Sequence, residues 1–159
     1  MPDTIERTAA PAVIVRHVHA ADADELRPLI ERYLTDRAVT PAPGEPGTEQ
    51  LTGERDGALL VAECRSAIVG FASLRVESSM GLAVAAPARV ARIAAIYVDA
   101  ERRRGGIGRA LIARARAWGA AKGASAMAIE LPPDSRDLER LCTALGYAGD
   151  DGRLTARIG

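Results

Sequence analysis

Apolar and polar positions along this 159-residue chain follow two periods, and the period changes at glycine, proline and aspartate. Residues 12–18 read as a first strand. Asp22 then offers an N-cap with Glu25 three residues on, and Leu26, Leu29, Ile30 and Tyr33 recur at helical spacing. Residues 58–64 and 67–77 read as two strands joined by a tight turn at Arg65 and Ser66, with Gly70 at a bulge. Val90, Ile93, Ile96, Tyr97 and Val98 make an apolar, β-branched run of strand length, whereas Ile107, Leu111, Ala115 and Trp118 return at the spacing of one helix face. Gly123 stops that helix and residues 126–131 form a fifth strand, closed by Pro132 and Pro133. Asp134 or Ser135 caps a last helix whose buried stripe is Leu138, Leu141, Cys142 and Leu145. Gly146 and Tyr147 end it, and residues 153–158 form a short closing strand.

Two stretches carry no clear period. Residues 41–47, with three prolines and two glycines, are excluded from regular structure and read as a solvated linker, or as a flap near a binding site. In residues 78–88, Met80, Leu82 and Val84 alternate with smaller side chains before Pro87. This segment extends the preceding hairpin or forms an apolar loop. Residues 49–55 fit one short helix, and residues 1–12 read as a flexible tail preceding a single domain over 13–159.

Composition narrows the functional classes. The 21 basic and 21 acidic residues cancel, so no global charge calls for nucleic acid or a membrane surface. Two cysteines make neither a disulfide framework nor a zinc site. With no apolar leader at the N-terminus and no membrane-length run, they place the chain in the cytoplasm. His17 and His19 would share a strand face, but no third ligand clusters with them and no metal is expected. The local exception to charge balance is Arg102-Arg103-Arg104-Gly105-Gly106-Ile107-Gly108-Arg109, between the central strand and the alanine-rich helix. Glycines let several backbone N–H groups converge, the helix start adds the positive end of its dipole, and Arg103, Arg104 and Arg109 supply charge. This is the physics of a phosphate cradle. A Walker loop is excluded because Gly-Lys-Ser/Thr is missing, and a dinucleotide fingerprint fits poorly because residues 99–105 separate the strand from the first glycine of Gly106-Ile107-Gly108.

Arg103-Arg104-Gly105-Gly106-Ile107-Gly108 resembles the acyl-CoA signature Arg/Gln-x-x-Gly-x-Gly/Ala of the GNAT superfamily of N-acetyltransferases, with Ile96-Tyr97-Val98 similar to the end of that family's preceding strand. The likeness extends over about residues 13–147. It implies a mixed α/β fold: a twisted, mostly antiparallel sheet with helices on both faces and a parallel, splayed pair of strands four and five. Residues 129–131 would splay to admit the pantetheine arm. The implied cosubstrate is acetyl-CoA or another short acyl-CoA. Its expected contacts are Ile96, Val98, Arg103, Arg104, Gly105, Gly106, Ile107, Gly108 and Arg109, together with Ser135, which stands where the family often has asparagine.

The resemblance further implies direct attack of a bound amine on the acyl carbon, with a backbone N–H near residues 96–98, freed by a strand bulge, meeting the developing oxyanion. The acceptor would be a small-molecule or peptide amine, and a homodimer is compatible with the family. Two departures stand out. Cys142 occupies the place of the tyrosine that often protonates the leaving thiolate, where it either donates that proton or packs in the core. The glutamate that many members carry in the fourth strand would fall near Ala94 or Ala95, which leaves water or a residue such as Glu130 to relay the amine proton, Glu130 reading otherwise as a solvated or salt-bridged strand residue. A chain with the cofactor loop and without those groups is also the pattern of a non-catalytic acyl-CoA-binding module.

Overall fold

The computed structural model describes residues 12–36, 56–79, 88–103, 105–132, 135–149 and 152–158. The proline-rich stretch 41–47, the helix expected at 49–55, residues 80–87 and most of the N-terminal tail lie outside them. Six strands, β1 (Val13–His17), β2 (Gly57–Cys64), β3 (Ala67–Ser79), β4 (Ala88–Val98), β5 (Ala126–Glu130) and β6 (Arg153–Arg157), form one sheet in chain order. Every neighbouring pair is antiparallel except β4 and β5. That exception follows from the connection: α2 (Ile107–Ala121) crosses over between them, and a crossover returns a strand in the same direction.

Strand alternation sorts the apolar residues onto two faces. Leu59, Val61, Ile68, Phe71 and Tyr97 meet Leu26 and Leu29 of α1 (Ala23–Asp36) on one side. Leu60, Ala62, Leu74, Ala91, Ile93, Met127 and Ile129 meet α2 and α3 (Arg136–Ala144) on the other. The helix stripe read from the sequence is buried as expected: Ile107, Leu111, Ala115 and Trp118 all face the sheet. A buried side chain of the size of Leu111 contributes about 2 kcal/mol. The tight turn is also where expected, Arg65 and Ser66 having φ of 51° and 63°, the left-handed pair that suits a two-residue hairpin loop.

Local readings needed correction in three places. Asp22 does not head α1; it closes a 3₁₀ turn over Ala20–Asp22, where its carboxylate accepts the His19 backbone N–H at 2.7 Å and both Arg16 guanidinium N–H groups at 2.7 and 2.9 Å. Glu25 is drawn away from a capping role because its carboxylate accepts the Ile68 N–H of β3 at 2.8 Å. His19 falls beyond the end of β1, so the two histidines share no strand face, and the described residues hold no metal-type cluster. The β2–β3 irregularity lies at Val69, one residue before Gly70, and β3 continues to Ser79, opposite Ala88 of β4, while the choice between strand and loop for the rest of residues 78–88 falls outside the described residues.

Candidate active site

The sheet opens between β4 and β5. Their parallel register runs from Val90 opposite Ala126 to Ile93 opposite Ile129 and no further. β4 continues to Val98, whereas β5 ends at Glu130. A bulge at Ala94, where Ser73 pairs with Ala95 but Leu74 pairs with Ile93, turns β4 at the point of parting. This lies upstream of the bulge expected at residues 96–98. What leaves the backbone of Ile96 and Val98 without a strand partner is instead the departure of β5. Asp99 N–H bonds to Val69 carbonyl at 2.8 Å, so Asp99, Tyr97 and Ala95 direct their backbone groups toward β3. By alternation Ile96 and Val98 direct theirs into the gap.

The glycine loop stands at the mouth of that gap. Asp99 caps a short 3₁₀ turn over Ala100–Arg102, and Gly106, at φ 82°, is the N-cap of α2. Only a glycine takes that left-handed conformation without cost, and nothing lies within 4 Å of the position a Cβ would occupy. The first intrahelical bond runs from Ala110 N–H to Gly106 carbonyl, at 3.0 Å. The amides of Ile107, Gly108 and Arg109 therefore precede the helical ladder and point out of the helix start. Gly105, Gly106 and Arg109 are exposed, Ile107 is buried beneath them, and Arg104 lies outside the described residues. The arrangement is an open backbone cradle with a cation beside it, which fits an anionic phosphate chain.

Arg103 is placed differently from the expectation of a phosphate contact. Its Nε donates to the Val98 carbonyl at 3.0 Å, and its guanidinium lies 5.4 Å from the centroid of the Tyr97 ring. It thus folds back over the end of β4. Tyr97 continues on the α1 side into an edge-on cluster with Tyr33 and Phe71, and its hydroxyl donates to Asp36 at 3.3 Å. Burial holds the phenol above its ordinary pKa.

The remaining candidates are separated from one another. Cys142 has no exposed surface and sits in the α2–α3 core, where burial pushes its thiol up to about 11. Ser135 occupies the N-cap position of α3 but donates its hydroxyl backward to the Pro132 carbonyl, so it caps no helical amide. Glu130, half exposed, ion-pairs with Arg92, whose other arm reaches Glu77 at 3.4 Å. Arg92 was not singled out in the sequence. The signal was there, since it is a charged residue at the interior of an apolar strand, two residues before the bulge.

Comparison with known proteins agrees with this architecture. The family model described as Acetyltransferase (GNAT) family matches residues 23–147. No curated protein matches the chain significantly. Among solved structures, the aminoglycoside N-acetyltransferase AAC(6')-Iy in complex with CoA is 20% identical, with 89% of this chain and 91% of that chain covered and a TM-score of 0.68. A ribosomal-protein-alanine N-acetyltransferase from Brucella melitensis biovar Abortus 2308 is 24% identical over 88% of this chain and 95% of that one, with a TM-score of 0.69. A tetramutant of the BH1408 protein from Bacillus halodurans is 19% identical over 87% and 95%, with a TM-score of 0.71. At these identities the likeness is one of fold. The family match, which spans most of the chain and contains the parted strands, the glycine loop and the start of α2, shows that this protein belongs to the GNAT family of acetyltransferases.

Proposed function

We propose that residues 13–159 act as one domain that transfers an acetyl group from acetyl-CoA to a primary amine on a small molecule or peptide, in the cytoplasm, by direct attack within a ternary complex. The observation that carries this reading is the gap beyond Ile93 and Ile129, with the backbone of Ile96 and Val98 facing into it and the α2 cradle at its mouth. The open Gly106 position and the free amides of the first helical turn suit a pyrophosphate, so the residues present fit the cosubstrate. When bound, acetyl-CoA supplies a thioester activated for acyl transfer.

In this reading the amides of Ile107, Gly108 and Arg109, with the backbone of Gly105 and Gly106, bind phosphate, and Arg109 adds charge. Arg104 belongs to the same cradle by its place in the sequence. The carbonyl of Val98, once Arg103 turns away from it, and the amides of Ile96 and Val98 orient the pantetheine arm and the acyl oxygen. Arg103 is then free to reach phosphate. Ser135 contributes its backbone setting at the start of α3. Glu130, paired with Arg92, stands on the α1 side of the parted strands and accepts the amine proton through water. Such a route needs a positioned carbonyl and a neutral amine more than a strong side-chain base, which accords with alanine at positions 94 and 95.

Calorimetric titration with acetyl-CoA, followed by thiol release across a set of amines, tests this. Gly105→Glu is the informative variant, since a Cβ there meets only the Arg102 carbonyl at 3.5 Å, an ordinary contact, while the carboxylate repels phosphate. Affinity should fall more than about tenfold with the melting temperature unchanged. A well-folded wild type that binds no acetyl-CoA at millimolar concentration overturns the reading. Binding without turnover of any amine would favour the non-catalytic module, for which the buried Cys142 and the two alanines speak.

A further inference from the structure

Gly70 of β3 is opposite Val98 of β4, on the face covered by α2. A Cβ built on Gly70 would lie 2.8 Å from the Tyr97 carbonyl oxygen, a backbone atom, and 3.5 Å from side-chain carbons of Ile107 and Leu111. The two helix contacts are of ordinary length, so α2 could stay in place. The contact with Tyr97 could not persist. The peptide unit that carries the Tyr97 carbonyl on one side carries the Val98 N–H on the other, and it is planar and rigid. Tyr97 directs its carbonyl toward β3, and Val98 directs its N–H into the gap. Pushing the carbonyl therefore tilts or translates the N–H. The bulge at Val69, immediately before Gly70, lies in the pairing of β3 with β2 and adds local twist to β3.

We infer that Gly70 is a positioning residue for the Val98 N–H: the missing side chain lets the Tyr97–Val98 peptide sit at the depth from which its N–H reaches the acyl group. This deepens the proposed acetyl transfer and rests on it. A carbon and a carbonyl oxygen settle at about 3.3–3.6 Å, so alanine displaces the peptide by about half an ångström or more. A displacement of that order, applied to a donor whose value depends on alignment, lowers turnover about tenfold or more. Binding of CoA draws mainly on the α2 cradle, which Gly70 does not touch through its backbone, and falls far less than turnover.

The experiment compares wild type, Gly70→Ala and Gly119→Ala for kcat, acetyl-CoA affinity, melting temperature and the Val98 amide resonance. Gly119 is the control: a Cβ there would meet the Ala91 Cβ at 2.8 Å, an equally tight contact remote from the gap. The expected result is a kcat loss of about tenfold or more in Gly70→Ala, with CoA affinity within about threefold and the Val98 amide shifted. Gly119→Ala should lose stability but keep kcat. Unchanged kcat and an unmoved Val98 amide in a folded Gly70→Ala overturn the inference, as does a kcat loss that follows melting temperature equally in both variants. If Gly70→Ala does not fold, Val98→Pro removes the same N–H directly, and full activity in that variant overturns the inference because nothing remains to be positioned. Failure of the wild type to bind acetyl-CoA is a different result, and removes the acetyl-transfer reading itself.

Discussion

Replacing Cys142 by alanine separates two roles that the family pattern leaves together. As proton donor to the departing thiolate, Cys142 would have to give up its proton to a group with an ordinary thiol pKa of about 8.5. Burial holds the Cys142 thiol at about 11. The transfer is uphill by about 2.5 units, or about 3 kcal/mol, a factor of more than about a hundred in rate. The thiol also has no exposed surface from which to meet a substrate. Packing is the role these facts support, and alanine then leaves a void the size of one sulfur atom among Ile129, Tyr147 and the α2 residues of the same core. The cost should be about 1–2 kcal/mol, seen as a fall of a few degrees in melting temperature. With any amine that supports turnover, kcat should stay within about threefold of wild type. Native protein should react slowly with a thiol-labelling disulfide reagent and quickly once unfolded. A kcat loss of about a hundredfold, with CoA affinity and folding intact, would refute this reasoning and make Cys142 the acid.

The ion pair of Arg16 and Asp22 should set the acid limit of stability. The guanidinium lowers Asp22 from 3.8 to about 2. Its contribution is therefore complete above pH 4 and fades as pH falls toward 2. It amounts to about 1–2 kcal/mol after allowance for the part-exposed Arg16, and urea titrations of Asp22→Asn at pH 7 and pH 3 should show the difference shrinking at the lower pH. Equal differences at both would sink this account. Glu130→Gln should cost under about 1 kcal/mol in stability, because its pair with Arg92 is half exposed. If Glu130 relays the amine proton, the same change lowers kcat/KM and moves the acidic limb of its pH profile. An unaltered profile would reduce Glu130 to a strand residue.

The secondary structure was largely legible, because both faces of the sheet are covered and each helix buries a single stripe. β2 alternates Leu59 and Val61 toward α1 with Leu60 and Ala62 toward α2, so both faces left a mark in the sequence. Caps were less legible, since a cap depends on which partner reaches a carboxylate first. Ile68 N–H comes from β3, 43 residues from the Glu25 carboxylate it meets, and Arg16, though only six residues before Asp22, reaches it from a different element, β1. The cradle was readable for the opposite reason: its glycines, its arginines and the helix start are contiguous. The gap between β4 and β5, expected only through the family resemblance, and the closeness of Gly70 to Tyr97 arise from register between strands, which no local spacing encodes, whereas Arg103 turns back on a carbonyl only five residues away.

The parallel ladder of β4 and β5 has only four residue pairs. Before α2 lie four antiparallel strands in chain order, with α1 between β1 and β2, and after it lies one antiparallel pair with α3 between its strands. Within the sheet the two sets of strands meet only along this short seam, although α2 packs across both, and the seam ends where the cosubstrate is proposed to lie. A ligand seated there would behave as a surrogate strand, supplying Ile96 and Val98 with the partners that β5 withholds. It would zip the two sets of strands together, adding about 2.7 kcal/mol to global stability at a hundred times its dissociation constant. The working substrate would then also be the last structural element to arrive, and the amides along the frayed edge would exchange with solvent at a rate that reports how well supplied the protein is.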